Sequence, residues 1–295
     1  ASFADFSARG DLPEFDFIGL HGIWSWISSA NRKCLIDIIG RRLRPGGIVY
    51  VSYNAMPGWA PMLPLRNFLA QYHEACGRIG GGFTDNIGTT IKFAVKLAEL
   101  KSGYIAGNPG LAERVRRIGE QDRAYLAHEY FNMDWSPMSF FDVAKEMGLA
   151  KLEFACSAVP TDLIPFLNFT AEQISIIDSI PDLVLRESVR DLLSNQQFRR
   201  EYWVKGGRKL HRQEQNDCLR RERVMLATAS QDVPEGIRVP VGEVILNKDI
   251  YRPILDCLTR LGVATLGEVE ACCAGRGINI AQIAQAIVAC ERPVL

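Results

Sequence analysis

Residues 15–53 contain the pattern that most restricts the fold of this chain: a short apolar run, an amphipathic stretch and a second apolar run. The runs at 15–23 and 48–53 are rich in residues typical of buried strands. Between them, apolar side chains recur at helical spacing over 31–43, and the sequence RPGG ends that stretch. This order predicts a βαβ unit, and therefore a parallel sheet that is covered by helices.

The rest of the chain predicts more helix than strand. Helical patterns run through residues 62–76, 87–102, 110–130, 139–147 and 170–196. Alternating polar and apolar residues predict strands at 151–159 and 198–205. The proline in GIRVPVGEVIL allows an edge strand at most in that segment. Three short helices after residue 249 have the size and spacing of a winged-helix core.

Composition argues against two classes of partner. The chain has 34 Lys and Arg against 34 Asp and Glu, so it has no general attraction for nucleic acid or for an anionic membrane. Its apolar runs are shorter than the roughly 20 residues that span a bilayer. The eight cysteines include no C-x-x-C pair, which favours reduced thiols and a cytoplasmic location.

Three short motifs lie around the βαβ unit. They are H-G-x-x-S-W at 21–26, L-x-P-G-G at 43–47 and S-Y-N-x-x-P-G-W at 52–59, and the sequence YLAHEYF follows at 125–131. Together they resemble class I S-adenosylmethionine-dependent methyltransferases with a methyltransferase regulatory domain, a bacterial-type branch related to protein lysine methyltransferases. The L-x-P-G-G motif alone is not specific, whereas the combination over roughly 45 residues is.

The resemblance implies S-adenosylmethionine as methyl donor and a protein or small molecule as methyl acceptor. It implies that the cofactor is bound by Asp5, Phe6, His21 and Gly22. The catalytic residues around the sulfonium and the acceptor would be His21, Tyr53 and Asn54. Aromatic rings attract a sulfonium or an ammonium, and the acceptor pocket would be lined by Trp24, Trp26, Trp59, His128 and Tyr130.

Other interpretations of these residues stay open. The tryptophans also fit a core beneath the helical segments, and His128 with Glu129 also fits capping or core hydrogen bonding. No second histidine follows at the spacing of an H-E-x-x-H zinc site, so we predict no metal site. The basic residues at 199–200 and 205–212 are predicted to form a solvated face.

The glycine-rich turn and the acidic ribose ligand of the resembled enzymes have no counterpart in the first 14 residues. Those residues have room only for the end of a third strand and its loop. The sequence GRIGGGFTDNIG at 77–88 follows a helix rather than a strand, so it is predicted to be an inter-helix loop. We therefore expect this chain alone to be inactive and to bind the cofactor weakly or not at all. The rival hypothesis is a non-catalytic protein-interaction fragment.

The predicted fold class is α/β: the C-terminal half of a Rossmann-like parallel sheet, from its third or fourth strand onward, with a helical insertion and a C-terminal winged-helix-like domain. The predicted parts are a partial methyltransferase core at 1–60 (strands four and five), a helical insertion or regulatory domain at 61–148, the remaining sheet strands and helices at 149–210, and the winged-helix-like domain at 211–295. The last helix, within NIAQIAQAIVAC, carries no Lys or Arg. That composition favours a protein contact, or association into a homo-oligomer, over DNA binding.

Overall fold

A computed structural model describes residues 2–77, 83–100, 103–108 and 110–290. Of the predicted inter-helix loop at 77–88, residues 78–82 lie outside them, and residues 83–88 are helical rather than a loop. The strands are β1 Phe15–Leu20, β2 Leu43–Asn54, β3 Leu152–Ser157, β4 Phe198–Lys205, β5 Arg223–Val224, β6 Gly236–Val239, β7 Gly242–Ile245 and β8 Ala264–Thr265. The helices are α1 Phe3–Ala8, α2 Ser29–Arg42, α3 Met56–Trp59, α4 Leu63–Gly77, α5 Phe83–Glu99, α6 Gly103–Ala106, α7 Leu111–Gly119, α8 Arg123–Phe131, α9 Phe140–Leu149, α10 Pro165–Asn168, α11 Ala171–Asp178, α12 Leu183–Ser194, α13 Arg212–Arg221, α14 Lys248–Leu261, α15 Leu266–Cys273 and α16 Ile280–Cys290.

The main sheet has four strands in the order β1-β2-β4-β3. The predicted βαβ unit is confirmed, because β1 and β2 are parallel and α2 connects them. The prediction of a parallel sheet was wrong for β4, which is antiparallel to both β2 and β3. Strand β3 therefore runs in the same direction as β1 and β2. Three helices, α10 to α12, return the chain to the end of the sheet at which β3 finishes, so β4 runs back beside it.

One face of this sheet is covered and the other is partly open. Val49, Val51 and Tyr53 alternate along β2 toward α2 and α9, and all three are buried. On the opposite face, Phe17 is 56% exposed and Ile48 is 40% exposed. Among the described residues, β1 has a strand partner only on its β2 side.

The helical segment after β2 has a core of its own. Buried side chains from α3, α4, α5, α7 and α8 pack there with Trp135. The predicted helix at 110–130 is two helices, because Asp122 lies between them in an extended conformation and caps α8 by accepting from the Ala124 and Tyr125 N–H groups. The predicted helix at 170–196 is also divided, at Pro181, where Asp182 caps α12.

The C-terminal segment contains a hairpin and a small helical cluster. Strands β6 and β7 pair antiparallel around Pro240, so the proline lies in the turn rather than in a strand. Helices α14, α15 and α16 surround a core that includes Ile254, Val269 and Ile283. No helix in the described ranges is long and apolar enough to cross a membrane.

Candidate functional site

The carboxyl ends of β1 and β2 carry an exposed histidine on a fixed turn. His21 follows β1 directly, and its Nδ1 lies 3.0 Å from the Tyr50 hydroxyl. The two rings are stacked, with centroids 5.9 Å apart. Gly22 has φ +63°, and its N–H donates to the Ser52 Oγ at 2.8 Å. The left-handed glycine turn therefore fixes His21 against the open face of the sheet.

Asn54 lies at the end of β2, where three segments meet. Its N–H donates to the Ser25 Oγ at 2.8 Å, and its carbonyl accepts from the Met138 N–H at 2.9 Å. The Ser136 N–H donates to the Ser25 carbonyl at 2.8 Å. The Asn54 side chain is 5% exposed, and its Nδ2 has no hydrogen-bond partner among the described residues. A buried amide donor of this kind is uncommon and marks a position where a bound acceptor would be favourable.

Trp26 and His128 start a chain of aromatic contacts beside this edge. The Trp26 ring lies 4.8 Å from His128 and 6.3 Å from Trp135, as centroid distances. Trp135 packs edge-on against Trp59 at 5.0 Å, and Trp59 lies 6.3 Å from Tyr130. Trp26 is half-buried, His128 is exposed, and the other three rings are buried. The structure thus brings together four of the five predicted pocket residues, through Trp135.

Two guanidinium groups lie over the buried end of this aromatic cluster. Arg66 is 4.8 Å from the Trp135 ring centroid, and Arg114 is 4.0 Å from that of Trp59. Burial raises the pKa of Tyr130 to about 12, although Arg114 opposes the shift. Burial also raises the pKa of Glu129.

Sequence analysis missed Trp135, Arg66 and Arg114, since none belongs to a recognised motif. The proximity of Trp135 to YLAHEYF was the one available signal.

Tyr53 and Trp24 lie away from the exposed edge. Tyr53 is 1% exposed on the covered face of β2, the face opposite His21, and its hydroxyl donates to the Glu201 Oε1 at 3.0 Å. Burial, followed by the charge of Glu201, raises the pKa of Tyr53. Trp24 is fully buried in the same core. Trp24 therefore matches the core interpretation, whereas Tyr53, predicted among the catalytic residues, lies on the covered face of the sheet.

The predicted adenosine residues lie on α1, which packs against α2. The Asp5 Oδ2 accepts from the Ser2 N–H at 3.1 Å as part of a capping box. Phe6 is half-buried and packs against the sheet core. It borders an apolar cavity of about 370 Å³ between α1, α2 and β1, which Phe17 and Leu20 also line. The structure does not record a contact between α1 and His21 or Gly22.

Arg199 is the charged residue that sequence analysis placed incorrectly. It was predicted on a solvated face, yet its side chain is 7% exposed. It forms ion pairs with Asp191 and Glu201, and a third with Glu187 at 2.8 Å. Alternate residues of β4 point toward the core, namely Arg199, Glu201 and Trp203. The three carboxylates balance the buried positive charge of Arg199.

The Glu201 carboxylate also accepts hydrogen bonds from two neutral donors. The Glu201 Oε2 accepts from the Trp203 Nε1 at 2.9 Å, while its other oxygen accepts from Tyr53. Burial raises the pKa of Glu201, and Arg199 opposes the shift.

Among the described residues, no three His, Cys, Asp or Glu side chains converge on a position for a metal ion.

Gly58, in the P-G-W part of the third motif, packs against the turn before β4. Its N–H donates to the Gln196 carbonyl at 2.9 Å. A Cβ at Gly58 would overlap the Gln197 side chain and lie 2.8 Å from the Asn195 carbonyl oxygen. We expect Gly58→Ala to lower the free energy of unfolding by about 1–3 kcal/mol, because backbone must move to make room.

Gly148→Ala is the matched control for that substitution. Gly148 lies in α9, and no described atom would come within 4 Å of its Cβ. Alanine there is expected to raise stability by up to about 1 kcal/mol. Denaturant unfolding of both variants makes the comparison, and equal stabilities would contradict the close packing at Gly58.

Comparison with known proteins gives a family match over part of the chain and two longer relatives. Residues 122–205 match the family described as "Predicted methyltransferase regulatory domain". The chain is 37% identical over 287 residues to the uncharacterized protein sll1526 of Synechocystis sp., a match that covers 97% of this chain and 56% of the relative. It is 23% identical over 238 residues to the uncharacterized protein RP789 of Rickettsia prowazekii, covering 79% of this chain and 40% of that protein. The chain therefore spans only about half of the length of these relatives.

Two solved structures share the fold. They are PKMT2 from Rickettsia typhi, with a TM-score of 0.65, and the same protein in complex with AdoHcy, with a TM-score of 0.66. Both are 18% identical to this chain and cover 96% of it, while the chain covers 56% and 57% of theirs. Residues 122–205 therefore match the methyltransferase regulatory domain family, and the resemblance of this chain to S-adenosylmethionine-dependent methyltransferases that carry that domain is confirmed.

Proposed function

We propose that this chain is the C-terminal portion of a methyltransferase that moves a methyl group from S-adenosylmethionine to a protein side chain. The open side of β1 supports a sheet that continues in another part of the protein, because Phe17 is 56% exposed beside an unpaired edge of the described chain. The greater length of the relatives supports the same proposal. The main cofactor cradle would then lie in that other part.

The observation that carries the proposal is the exposed H-G turn at the carboxyl ends of two parallel strands. Ligands of α/β sheets bind at that end. Gly22 is left-handed, and a Cβ at this position would have no atom within 4 Å, so a ligand has space to approach the backbone closely. We assign His21 and Gly22 to the methionine and sulfonium end of the cofactor, and Asp5 with Phe6 to its adenosine end.

The residues of this chain fit that cofactor in part. His21 and Gly22 offer an exposed, unobstructed edge, and Asn54 offers a buried amide donor that the described chain leaves unpaired. Asp5 is exposed, and one of its carboxylate oxygens is engaged with Ser2. Its other oxygen can accept from an adenine amino group. The acidic ribose ligand that the first 14 residues lack supports a second, larger binding surface outside this chain.

The acceptor is assigned to the aromatic cluster at Trp26, His128, Trp59 and Tyr130. S-adenosylmethionine supplies an electrophilic methyl group on a sulfonium. Aromatic faces favour the sulfonium and an approaching amine by cation–π attraction, on the order of 0.5–2 kcal/mol per contact. A desolvated pocket also favours the neutral, nucleophilic form of an amine. The work of these residues is to position the acceptor and to exclude water, while Tyr53 and Trp24 support the edge from below.

We also propose that the C-terminal segment is winged-helix-like and contacts protein rather than DNA. Ile280 and Ile283 are buried in the core formed by α14 to α16. The described part of α16 carries no Lys or Arg that could reach DNA phosphates.

The absence of paired cysteines among the described thiols supports a reducing, cytoplasmic location.

Calorimetry with S-adenosylhomocysteine tests the proposed function. We expect the full-length protein to bind it with a Kd of about 1–100 μM, and this chain alone to bind at least about a hundredfold more weakly. In the full-length protein, Gly22→Ala is expected to weaken binding about tenfold or more.

Gly46→Ala is the matched control, because Gly46 has φ +83° and equally open surroundings, but lies at the other end of β2. Both substitutions strain the backbone by about 1–2 kcal/mol, and only the one at Gly22 should affect the ligand. If this chain alone bound S-adenosylhomocysteine as tightly as the full-length protein does, the proposal that the main cofactor cradle lies in another part of the protein would be overturned. Failure of the full-length protein to bind would overturn the proposed function.

A further inference from the structure

Cys257 on α14 and Cys272 on α15 are brought together beside an arginine. The Arg260 Nη2 lies 3.1 Å from the Cys272 Sγ. Cys257 precedes Arg260 by three residues on α14, so the two side chains share one face of that helix. The Cys272 thiol is one of the neighbours that raise the pKa of Cys257, so the two thiols lie close together. Both cysteines are free thiols.

The two thiols differ in accessibility. Cys272 is exposed, whereas Cys257 is 4% exposed and belongs to the core of the C-terminal segment. Burial, together with the hydrogen bond to Cys272, raises the pKa of Cys257 to about 11. A guanidinium in contact with a sulfur stabilises its thiolate, which is the nucleophilic form. Cys272 therefore has the exposure and the cationic neighbour of a reactive thiol, and Cys257 has the position of a resolving thiol.

We propose that Cys272 and Cys257 form a peroxide-sensitive dithiol, which closes to a disulfide between α14 and α15. In the first step, the Cys272 thiolate attacks one oxygen of a hydroperoxide, the O–O bond breaks, and a sulfenic acid forms while the leaving hydroxide takes a proton. In the second step, the Cys257 sulfur attacks the Cys272 sulfur. The S–O bond breaks, and hydroxide leaves as water with the Cys257 proton. Two thiols are oxidised, and one hydrogen peroxide is reduced to two waters.

Cys273 is the obvious rival partner, and its position argues against it. Adjacent residues have Cα atoms about 3.8 Å apart, closer than the roughly 4.4–6.8 Å of ordinary disulfides. Cys273 is also 1% exposed, packed in the core between the helices. The resulting bridge would tie together two helices of the C-terminal segment, and a cellular dithiol reductant would release it. This inference is independent of the proposed methyl transfer.

The test exposes the full chain to a small excess of hydrogen peroxide, blocks free thiols and maps cross-linked peptides by mass spectrometry without reduction. We expect a Cys257–Cys272 cross-link that dithiothreitol removes. Cys273→Ser should retain it, and Cys257→Ser should leave a sulfenic acid at Cys272 that dimedone captures. A cross-link through Cys273, or oxidation of Cys272 to sulfinic acid without a cross-link in the unmodified chain, would overturn the proposal.

The rate of oxidation tests the part played by the arginine. Arg260→Gln should slow the loss of Cys272 thiol several-fold, because the thiolate loses its cationic neighbour. Arg252→Gln removes the same charge from the same helix, where Arg252 faces Glu235 at 3.9 Å instead of a cysteine. This control should oxidise at the unmodified rate. Equal rates for the two variants would contradict the role of Arg260, and with it the assignment of Cys272 as the attacking thiol.

Discussion

Replacing Arg199 by methionine is expected to lower the free energy of unfolding by about 3–5 kcal/mol. The substitution leaves Glu187, Asp191 and Glu201 facing one another in the core, without the guanidinium that pairs with all three. Methionine fills a similar volume, so the loss is electrostatic rather than a cavity effect. Urea unfolding near pH 7 measures the change.

Arg200→Met is the matched control, on the neighbouring residue of the same strand. The Arg200 side chain is half-buried and lies 5.6 Å from the Phe198 ring, with no ion pair among the described residues. Its replacement is expected to change stability by no more than about 1 kcal/mol. Equal stability of the two variants would contradict the claim that Arg199 balances the buried charge of the three carboxylates.

The same cluster predicts an unusual dependence of stability on pH. Burial outweighs the attraction of Arg199 and raises the pKa of Asp191 to about 6, against roughly 3.9 in an unfolded chain. The folded protein therefore holds this proton more tightly than the unfolded protein does. The contribution of Asp191 to stability is fully present below about pH 4, and it is lost as the pH rises through about 6.

Asp191→Asn isolates that contribution, because the variant lacks the titrating group. The free energy of unfolding of the unmodified chain minus that of the variant is expected to fall by up to about 3 kcal/mol between pH 4 and pH 7. Urea unfolding at several pH values in this interval gives the difference. A difference that stays constant, or that rises with pH, would show that ion pairing with Arg199 outweighs burial.

The sequence predicted the elements of the sheet better than their directions. The bounds of β4 matched, and β1, β2 and α2 were found in order, because local periodicity specifies strands and helices. The antiparallel direction of β4 depends on where α10 to α12 return the chain, and no local pattern records that path. The burial of Arg199 likewise depends on α12, which supplies two of its three partners from a separate element of the fold.

The sequence predicted where the candidate residues lie in the fold more accurately than it predicted what each side chain contacts. His21, Asn54 and Trp26 lie near the expected edge, yet Trp24 and Trp26 belong to different cores. Residues 24–26 form a 3₁₀ turn, in which side chains two positions apart point about 120° away from each other. The alternation of β2 similarly separates Tyr53 from Asn54 and Ser52. A motif identifies such a segment, but the local backbone geometry determines which face each residue occupies.

Methyl transfer by the full-length protein tests the central claim most directly. The measurement follows the labelled methyl group of S-adenosylmethionine into a protein acceptor, for the unmodified protein, for His21→Ala and for the matched control His211→Ala, whose histidine is exposed at the start of α13. We predict transfer by the unmodified protein and the control at the same rate, and a rate lower by about tenfold or more for His21→Ala. Absence of transfer by the unmodified protein, or equal rates for the two variants, would contradict the account.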